Sequence, residues 1–170
     1  AMKKMVDICK EDNQKISFTL SDLFCVDRHR NSFSELIKDD VDILFGNKEE
    51  ICSMIESTSL NEGIDYAKSL SATTIITLAE KGSLIVNNNE VIEIPAIVVD
   101  KVIDTTGAGD SFAGGLLSAK MKGKNIQESM ICGATMASFC IEDVSCRGLL
   151  SISEDEYQIR EEWIQSSLTY

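Results

Sequence analysis

Hydrophobic positions along the chain alternate between short β-rich runs and stretches with helical spacing. The first such stretch predicts a helix over 2–11, and SLIVNNNEVIEI (83–94) alternates on either side of three asparagines, which predicts a hairpin. The other β-rich runs are KISFTL (15–20), VDILF (41–45), TTIITL (73–78) and AIVVDKVI (96–103). KISFTL reads as an interior strand.

Helical spacing recurs over 48–70, 110–121, 125–142 and 154–168. Strands separated by helices favour right-handed crossovers and a largely parallel sheet, so we expect an α/β fold with one domain over 1–170. The chain opens inside a helix with no strand before it, which indicates the second half of a larger α/β protein. A small domain whose first helix caps a sheet edge is the alternative.

Composition narrows the classes of partner. The chain has 170 residues, 44% of them hydrophobic, and a formal net charge of −12, which disfavours nucleic acid and anionic lipid surfaces. Six cysteines without a C-x-x-C pair and a single histidine give no metal-finger spacing. We see no signal peptide and no apolar run long enough to span a bilayer, and scattered thiols indicate a cytoplasmic protein.

The stretch DTTGAGDSFAGGLL (104–117) contains the densest candidate chemistry. Gly107, Ala108 and Gly109 leave backbone N–H groups uncovered just before a helical pattern, and such groups at a helix N-terminus bind anions. Asp110 follows in the first turn, where it suits either of two roles. It can accept a proton from a hydroxyl that attacks a phosphoryl group, or it can simply interact favourably with the helix dipole.

The same fourteen residues resemble the second signature of the ribokinase-like (PfkB) family of sugar and nucleoside kinases. VDILFGNKEE resembles that family's strand and N-x-x-E motif, and TTIITLAEKGS resembles its T-L-G-x-x-G strand end. LSDLFCVDRHR (20–30) and GATMASFCIEDVSCRG (133–148) look most like its bacterial adenosine kinase-like branch. The resemblance covers essentially the whole chain. It implies the nucleotide-binding, C-terminal portion of a three-layer αβα fold, without the N-terminal substrate and lid portion.

The resemblance also implies roles for individual residues. Asp110 corresponds to the catalytic base, and Gly107, Ala108 and Gly109 correspond to the anion hole that stabilises the moving phosphoryl group. Asp104 and Thr105 begin a loop that in many members holds a monovalent cation such as K⁺.

A second set of matching positions implies nucleotide and Mg²⁺ contacts. Asn47 and Glu50 form the N-x-x-E pair, which organises magnesium-bound water and phosphate. Thr77 and Gly82 correspond to the edge of the ATP pocket. The implied ATP-binding set is Asn47, Thr77, Gly82, Gly107 and Gly109.

Several positions favour plainer interpretations or depart from the family pattern. Asn-x-x-Glu is also a helix capping box, and similar boxes stand at Ser32/Glu35, Asn125/Glu128 and Ser153/Glu156. DRHR (27–30) fits a solvated loop with Arg–Asp pairing better than a phosphate contact. Ala79 stands where the family usually has glycine. Ser145, Cys146 and Gly148 stand where the adenosine kinase-like branch tends to carry Gly-Ala-Arg-Pro.

Together these patterns predict an ATP-dependent phosphotransferase that moves the γ-phosphate to a primary hydroxyl of a sugar or nucleoside. An adenosine-like acceptor is favoured and a ribose-like one comes next. The expected cofactors are ATP and Mg²⁺, with K⁺ and a homodimer left open. The alternative is a non-catalytic nucleotide-binding or interaction module, inactive alone because it lacks the substrate lid.

Overall fold

The computed structural model describes residues 2–168, which contain five strands and seven α-helices. The strands are β1 (Ser17–Thr19), β2 (Ile43–Asn47), β3 (Thr73–Thr77), β4 (Ser83–Asn87) and β5 (Glu90–Ile94). The helices are α1 (Met2–Glu11), α2 (Leu23–Asp40), α3 (Lys48–Met54), α4 (Leu60–Ser69), α5 (Ala108–Met121), α6 (Ile126–Cys140) and α7 (Glu154–Ser167). Two 3-10 segments lie at Ala79–Lys81 and Ser145–Leu150.

The five strands form one sheet in the order β1-β2-β3-β4-β5. β1 pairs in parallel with β2, and β2 pairs in parallel with β3. A two-residue turn joins β4 to β5, and Asn88 in that turn adopts a left-handed φ of 51°. The prediction of a largely parallel sheet with a hairpin over 83–94 is therefore confirmed.

By its internal contacts the chain divides into two compact units. The first comprises the residues up to Thr77 together with Leu84–Val91, and the second comprises Leu78–Ser83 together with the residues from Ile92 onward. The fully buried side chains of the first unit include Leu20, Ile37, Leu44, Ile51, Ile75 and Ile76. Those of the second include Ile94, Leu116, Met130 and Ile164.

Glycines set the packing of α5 against α6 in the second unit. A Cβ on Gly115 would stand 2.9 Å from the carbonyl oxygen of Cys132, and a Cβ on Gly133 would stand 2.8 Å from that of Phe112. The two backbones thus approach each other where neither helix has a side chain, which fixes the position of α5.

Three predicted elements differ from the structure. The helix expected over 48–70 is two helices, because α3 ends at Met54, Glu56 adopts a left-handed φ of 55°, and Ser59 caps a new helix. β1 is an end strand of the sheet within residues 2–168 rather than an interior one. The run 96–103 is not a strand, and Val98 within it is 85% exposed, so its apolar side chains are not held in a sheet.

The DRHR stretch also differs from its prediction. It lies inside α2 rather than in a loop, with a local departure from helical geometry at His29. The expected Arg–Asp pairing is present, since Arg30 Nη2 lies 2.9 Å from Asp27 Oδ1. None of the helices within residues 2–168 is both long and apolar enough to cross a membrane.

Candidate active site

Two of the candidate residues end neighbouring strands in the first unit. Asn47 is the last residue of β2 and Thr77 is the last residue of β3, and the two are in register across the parallel pair. Open α/β sheets bind ligands outside the carboxyl ends of their strands. The positions of Asn47 and Thr77 are therefore compatible with the nucleotide contacts that the sequence predicts, although no contact of theirs tests that role.

Asn47 and Glu50 form a reciprocal capping box at the start of α3. The Glu50 N–H donates to Asn47 Oδ1 at 2.8 Å, and Glu50 Oε2 accepts from the Asn47 N–H at 2.9 Å. A third hydrogen bond joins Asn47 Nδ2 to Glu50 Oε1 at 2.7 Å. Asn47 and Glu50 therefore form the helix capping box that the N-x-x-E spacing predicts. A role in binding Mg²⁺ would be additional to this capping.

Burial gives the Glu50 carboxyl an unusual environment. Only 6% of the residue is exposed, and this burial raises the pKa of the carboxyl above its usual range, while the hydrogen bond from the Asn47 N–H acts in the opposite direction. The charges of Asp22 and Glu49 raise the pKa further. A nearby divalent cation would favour the ionised form, so this carboxylate suits metal-bound water, the form in which Mg²⁺ usually meets a protein.

The described residues contain no cluster of three or more His, Cys, Asp or Glu side chains able to hold a metal ion. Mg²⁺ in phosphoryl-transfer sites is held largely by phosphate oxygens and water, with one or two carboxylates. A single buried carboxylate such as Glu50 therefore fits the predicted ion, provided that the nucleotide supplies most of the ligands.

In the second unit, α5 begins without a side-chain cap. Gly107 is its N-cap residue, with a left-handed φ of 81°, and offers no side chain to the first turn. The α-helices of residues 12–168 other than α5 all have an N-cap side chain that accepts a backbone N–H: Asp22, Asn47, Ser59, Asn125 and Ser153. The start of α5 is therefore the exception among them.

The missing cap leaves hydrogen-bond donors free at the start of α5. The Ala108 N–H donates to the Thr105 carbonyl at 3.1 Å, and the Ser111 N–H donates to the Gly107 carbonyl at 2.8 Å. Between them, the N–H groups of Gly109 and Asp110 have no hydrogen-bond acceptor in the described part of the chain. A Cβ on Gly109 would meet no heavy atom within 4 Å, so the space beside the Gly109 Cα is open.

Asp110 lies in the same turn with an exposed carboxylate. Within residues 2–168 no side chain or backbone group forms a hydrogen bond or ion pair with it. A carboxylate in the first turn also interacts favourably with the helix dipole without any hydrogen bond, so this geometry is compatible with both roles that the sequence allows. The structure thus presents free N–H groups and an unpaired carboxylate side by side, which is the arrangement expected for an anion site with an adjacent base.

Asp104 anchors the loop that leads into α5. Its Oδ1 accepts from the Thr106 N–H at 2.9 Å and its Oδ2 accepts from the Ser145 N–H at 2.8 Å. These backbone hydrogen bonds, that from Thr106 first, hold the pKa of the Asp104 carboxyl below its usual range, so the carboxylate is ionised near neutral pH. An ionised carboxylate beside the Thr105 carbonyl is an oxygen environment that suits a monovalent cation, which stays a prediction here.

Gly82 is a glycine for reasons that the sequence alone does not reveal. It adopts a φ of 90°, and a Cβ there would stand 2.1 Å from the Ile94 carbonyl oxygen. Leu78 and Gly82 are joined by a 2.8 Å backbone hydrogen bond around the 3-10 turn. The glycine therefore has a structural cause, and its predicted place in the ATP pocket is a separate, untested expectation.

Sequence reasoning missed one participant in this loop. The Ser145 N–H reaches Asp104 across 41 positions of sequence, and Ser145 adopts a left-handed φ of 55°. The sequence did contain a hint: residues 145–148 differ from the Gly-Ala-Arg-Pro typical of the adenosine kinase-like branch, and Ser145 stands in place of its glycine. A residue contributing only its backbone N–H carries no side-chain signature, which explains the omission.

Comparison with known proteins agrees with this architecture. Residues 1–152 match the pfkB family carbohydrate kinase. The chain belongs to this family. Among curated members of similar sequence, a nucleoside kinase of Methanocaldococcus jannaschii is 44% identical over 105 residues, which cover 61% of this chain and 34% of that protein.

Two solved structures resemble this pfkB family chain closely. A probable sugar kinase from Rhizobium etli superposes with a TM-score of 0.85 at 32% identity, covering 92% of this chain and 48% of that one. An adenosine kinase from Sinorhizobium meliloti superposes with the same TM-score at 31% identity and the same coverage. The chain thus spans about half the length of these proteins, and the predicted family and ribokinase-like α/β fold are confirmed.

Proposed function

We propose that this chain supplies the nucleotide-binding and catalytic-base half of an ATP-dependent phosphotransferase. The acceptor is a primary hydroxyl of a sugar or nucleoside, with an adenosine-like acceptor favoured over a ribose-like one. The observation that carries the proposal is the uncapped start of α5, where the free N–H groups of Gly109 and Asp110 adjoin an unpaired Asp110 carboxylate.

The proposed chemistry follows from those groups. The Asp110 carboxylate accepts the proton of the acceptor hydroxyl as its oxygen bonds to the γ-phosphorus, and the bond from that phosphorus to the β-phosphate oxygen breaks to release ADP. The free N–H groups and the positive end of the α5 dipole stabilise the negative charge on the moving phosphoryl oxygens. Magnesium bound with ATP would supply further charge neutralisation, and the assignment of Glu50 to its water rests on the resemblance alone.

The choice of acceptor is supported by the relatives' names. Proteins named nucleoside kinase, adenosine kinase and probable sugar kinase share 31–44% identity with the chain over the matched segments. All of them phosphorylate a hydroxyl-bearing small molecule if their names describe their activity. Because the matches cover only about a third to a half of these proteins, acceptor binding is the part of the proposal that depends most on residues outside this chain.

The nucleotide part is tested by replacing Gly109 with alanine. A Cβ at Gly109 meets no protein atom within 4 Å, so Gly109→Ala keeps the fold while it adds a methyl group next to the free N–H groups. We expect calorimetric titration with Mg²⁺ and ATP to show at least a tenfold loss of affinity, because a methyl group prevents close approach to the N–H groups.

Gly114→Ala is the matched control. Gly114 is an exposed glycine of the same helix, and its Cβ would also meet nothing within 4 Å. This variant gains about 1 kcal/mol of helix stability and keeps its affinity for ATP. Equal affinities for ATP in Gly109→Ala, Gly114→Ala and the unaltered chain would remove the phosphate site from the start of α5.

The catalytic part is tested by Asp110→Asn. We expect transfer of phosphate from ATP to adenosine or ribose to fall by about 10²–10⁴-fold while ATP affinity changes little, because the amide cannot accept the proton. Transfer that is unchanged would exclude Asp110 as the base. A protein that contains this chain together with the acceptor-binding residues, and that binds ATP without transferring phosphate, would instead favour the non-catalytic nucleotide-binding module.

A further inference from the structure

Two cysteine thiols lie directly beneath the start of α5. Cys140 is the last residue of α6, and Cys146 lies in the 3-10 segment Ser145–Leu150. The Cys146 Sγ stands 2.6 Å and the Cys140 Sγ stands 3.8 Å from the point where a Cβ on Gly107 would be. Both sulfur atoms therefore contact the same side of the glycine that caps α5.

The Cys140 thiol also contacts the adjoining loop and the 3-10 segment. The Cys140 Sγ–H lies 3.5 Å from the Thr106 carbonyl and 3.7 Å from the Ser145 carbonyl. Burial, and a side-chain hydrogen bond with Cys146, raise the pKa of the Cys140 thiol. Cys140 and Cys146 thus link three segments: the end of α6, the 3-10 segment and the loop before α5.

The two thiols differ in their exposure to solvent. Cys146 is exposed to solvent, whereas Cys140 is buried behind it. Solvent exposure of one thiol and the presence of a second thiol nearby are two features of cysteine pairs that react with an oxidant and are then resolved to a disulfide. Cys146 stands where the resembling branch tends to carry alanine, so this pair is a property of the present chain.

We propose that Cys140 and Cys146 are an oxidative modification site, at which peroxide forms a reversible disulfide beneath the N-terminus of α5. Its second part, that the disulfide weakens nucleotide binding, rests on the function proposed above. The formation of the disulfide itself is inferred only from the positions of the two sulfur atoms.

The chemistry balances with one molecule of hydrogen peroxide. The Cys146 sulfur bonds to a peroxide oxygen, the O–O bond breaks, and water leaves, giving a sulfenic acid. The Cys140 sulfur then attacks the Cys146 sulfur, the S–S bond forms, the S–O bond breaks, and a second water carries off the Cys140 proton. The two sulfurs lose two electrons, which the peroxide gains.

We expect bond formation to move the segments that hold the α5 start. Disulfide sulfurs are about 2.05 Å apart, closer than unbonded sulfurs, and we expect the 3-10 segment to shift toward the end of α6 when the bond forms. The Ser145 N–H, which precedes Cys146, then moves relative to Asp104, and the sulfur that abuts Gly107 is displaced. We expect the N–H groups of 107–110 to lose the arrangement suited to a phosphate.

The test treats the whole 170-residue chain with hydrogen peroxide and maps its disulfides by peptide mass spectrometry. We expect a 140–146 link, with a mass loss of about 2 Da, that a dithiol reductant reverses. Amide hydrogen exchange of the peptide containing 107–110 changes on oxidation, and ATP affinity falls at least tenfold and recovers on reduction. Cys146→Ala abolishes all three responses, whereas Cys9→Ala, a thiol in α1, keeps them.

The outcomes separate the two parts of the proposal. A different disulfide, or only sulfinic acid at Cys146, would overturn the modification site. A 140–146 link that leaves both hydrogen exchange at 107–110 and ATP affinity unchanged would overturn its effect on α5. A reduced chain that binds no ATP, but forms the link and shows the exchange response, would overturn the proposed function and keep the modification site.

Discussion

Ala79 and Ser145 share a backbone conformation that side chains disfavour. Their φ values are 53° and 55°, in the left-handed region where a Cβ crowds the following carbonyl at a cost of about 1–2 kcal/mol. Both stand where the resembling family or branch usually has glycine. Ala79 and Ser145 therefore differ from the family pattern in the same way. At each position the backbone has a left-handed conformation that glycine adopts easily, but the residue carries a side chain.

Ala79→Gly is expected to raise the free energy of unfolding by about 0.5–1 kcal/mol. Relief of the left-handed conformation outweighs the larger entropy of glycine in the unfolded chain. Urea denaturation followed by circular dichroism measures the change. Glu80→Gly is the control, because Glu80 does not have a positive φ and the same entropy change should there lower stability. A loss of stability in both variants would contradict the expectation.

At the scale of elements, predictions succeeded where the determining interaction is local. The capping boxes at Asn125/Glu128 and Ser153/Glu156 are present at helix starts, because the hydrogen bonds that define them join residues three apart. The box at Ser32/Glu35 lies inside α2 instead. There α2 continues through the Ser32/Glu35 positions after its kink at His29, with Val26, Phe33 and Ile37 buried, and burial of that kind depends on distant residues.

The same distinction applies to the candidate site. The uncapped glycine and Asp110 could be predicted from adjacent letters, because a helix start and its free N–H groups are local features. The hydrogen bond from Ser145 to Asp104 and the thiols beneath Gly107 could not, since they come from segments more than thirty residues away. Sequence thus predicted the groups that face the proposed ligand and not those that hold them in place.

Arg30 joins two helices of the first unit. Its Nε donates at 2.9 Å to the Ser53 carbonyl in the last turn of α3, and this carbonyl also accepts the Glu56 N–H at 3.1 Å. Its guanidinium also pairs with Asp27 at 2.9 Å and with Glu56 at 3.3 Å. The basic patch read from the sequence therefore contributes an arginine that is committed to protein contacts, which leaves it poorly suited to bind a phosphate.

Arg30→Ala is expected to lower the free energy of unfolding by about 1–2 kcal/mol, through loss of a charged hydrogen bond to a partly buried carbonyl. Arg28→Ala is the matched control, two positions away in α2. Arg28 is exposed and lies over the Phe24 ring at 4.8 Å, a contact worth about 0.5–1 kcal/mol. Urea denaturation compares the two, and a loss for Arg28→Ala as large as that for Arg30→Ala would show that the Ser53 contact contributes little.

At the scale of the whole molecule, charge opposes the proposed ligand. The chain has 28 acidic against 16 basic residues and a net charge of −12, so its long-range field repels ATP. The proposed phosphate site uses backbone N–H groups and a helix dipole rather than a cluster of lysines or arginines. Attraction at the site is therefore short-ranged, whereas repulsion by the surface is long-ranged and screened by salt.

These two ranges give opposite salt dependences. Raising ionic strength with choline chloride from about 0.05 M to about 0.3 M shortens the Debye length from roughly 14 Å to roughly 6 Å, which removes surface repulsion and leaves contacts of about 3 Å nearly intact. We expect the affinity for Mg²⁺ and ATP to stay constant or to rise, as measured by titration calorimetry at fixed Mg²⁺. The double variant Asp155→Asn, Glu162→Gln removes two acidic residues from α7 and so weakens the surface repulsion. The change in its ATP affinity with salt should therefore be smaller than that of the unaltered chain. A tenfold loss of affinity with salt would mean that basic side chains bind the phosphates, and the assignment of that task to the α5 N–H groups would then fail.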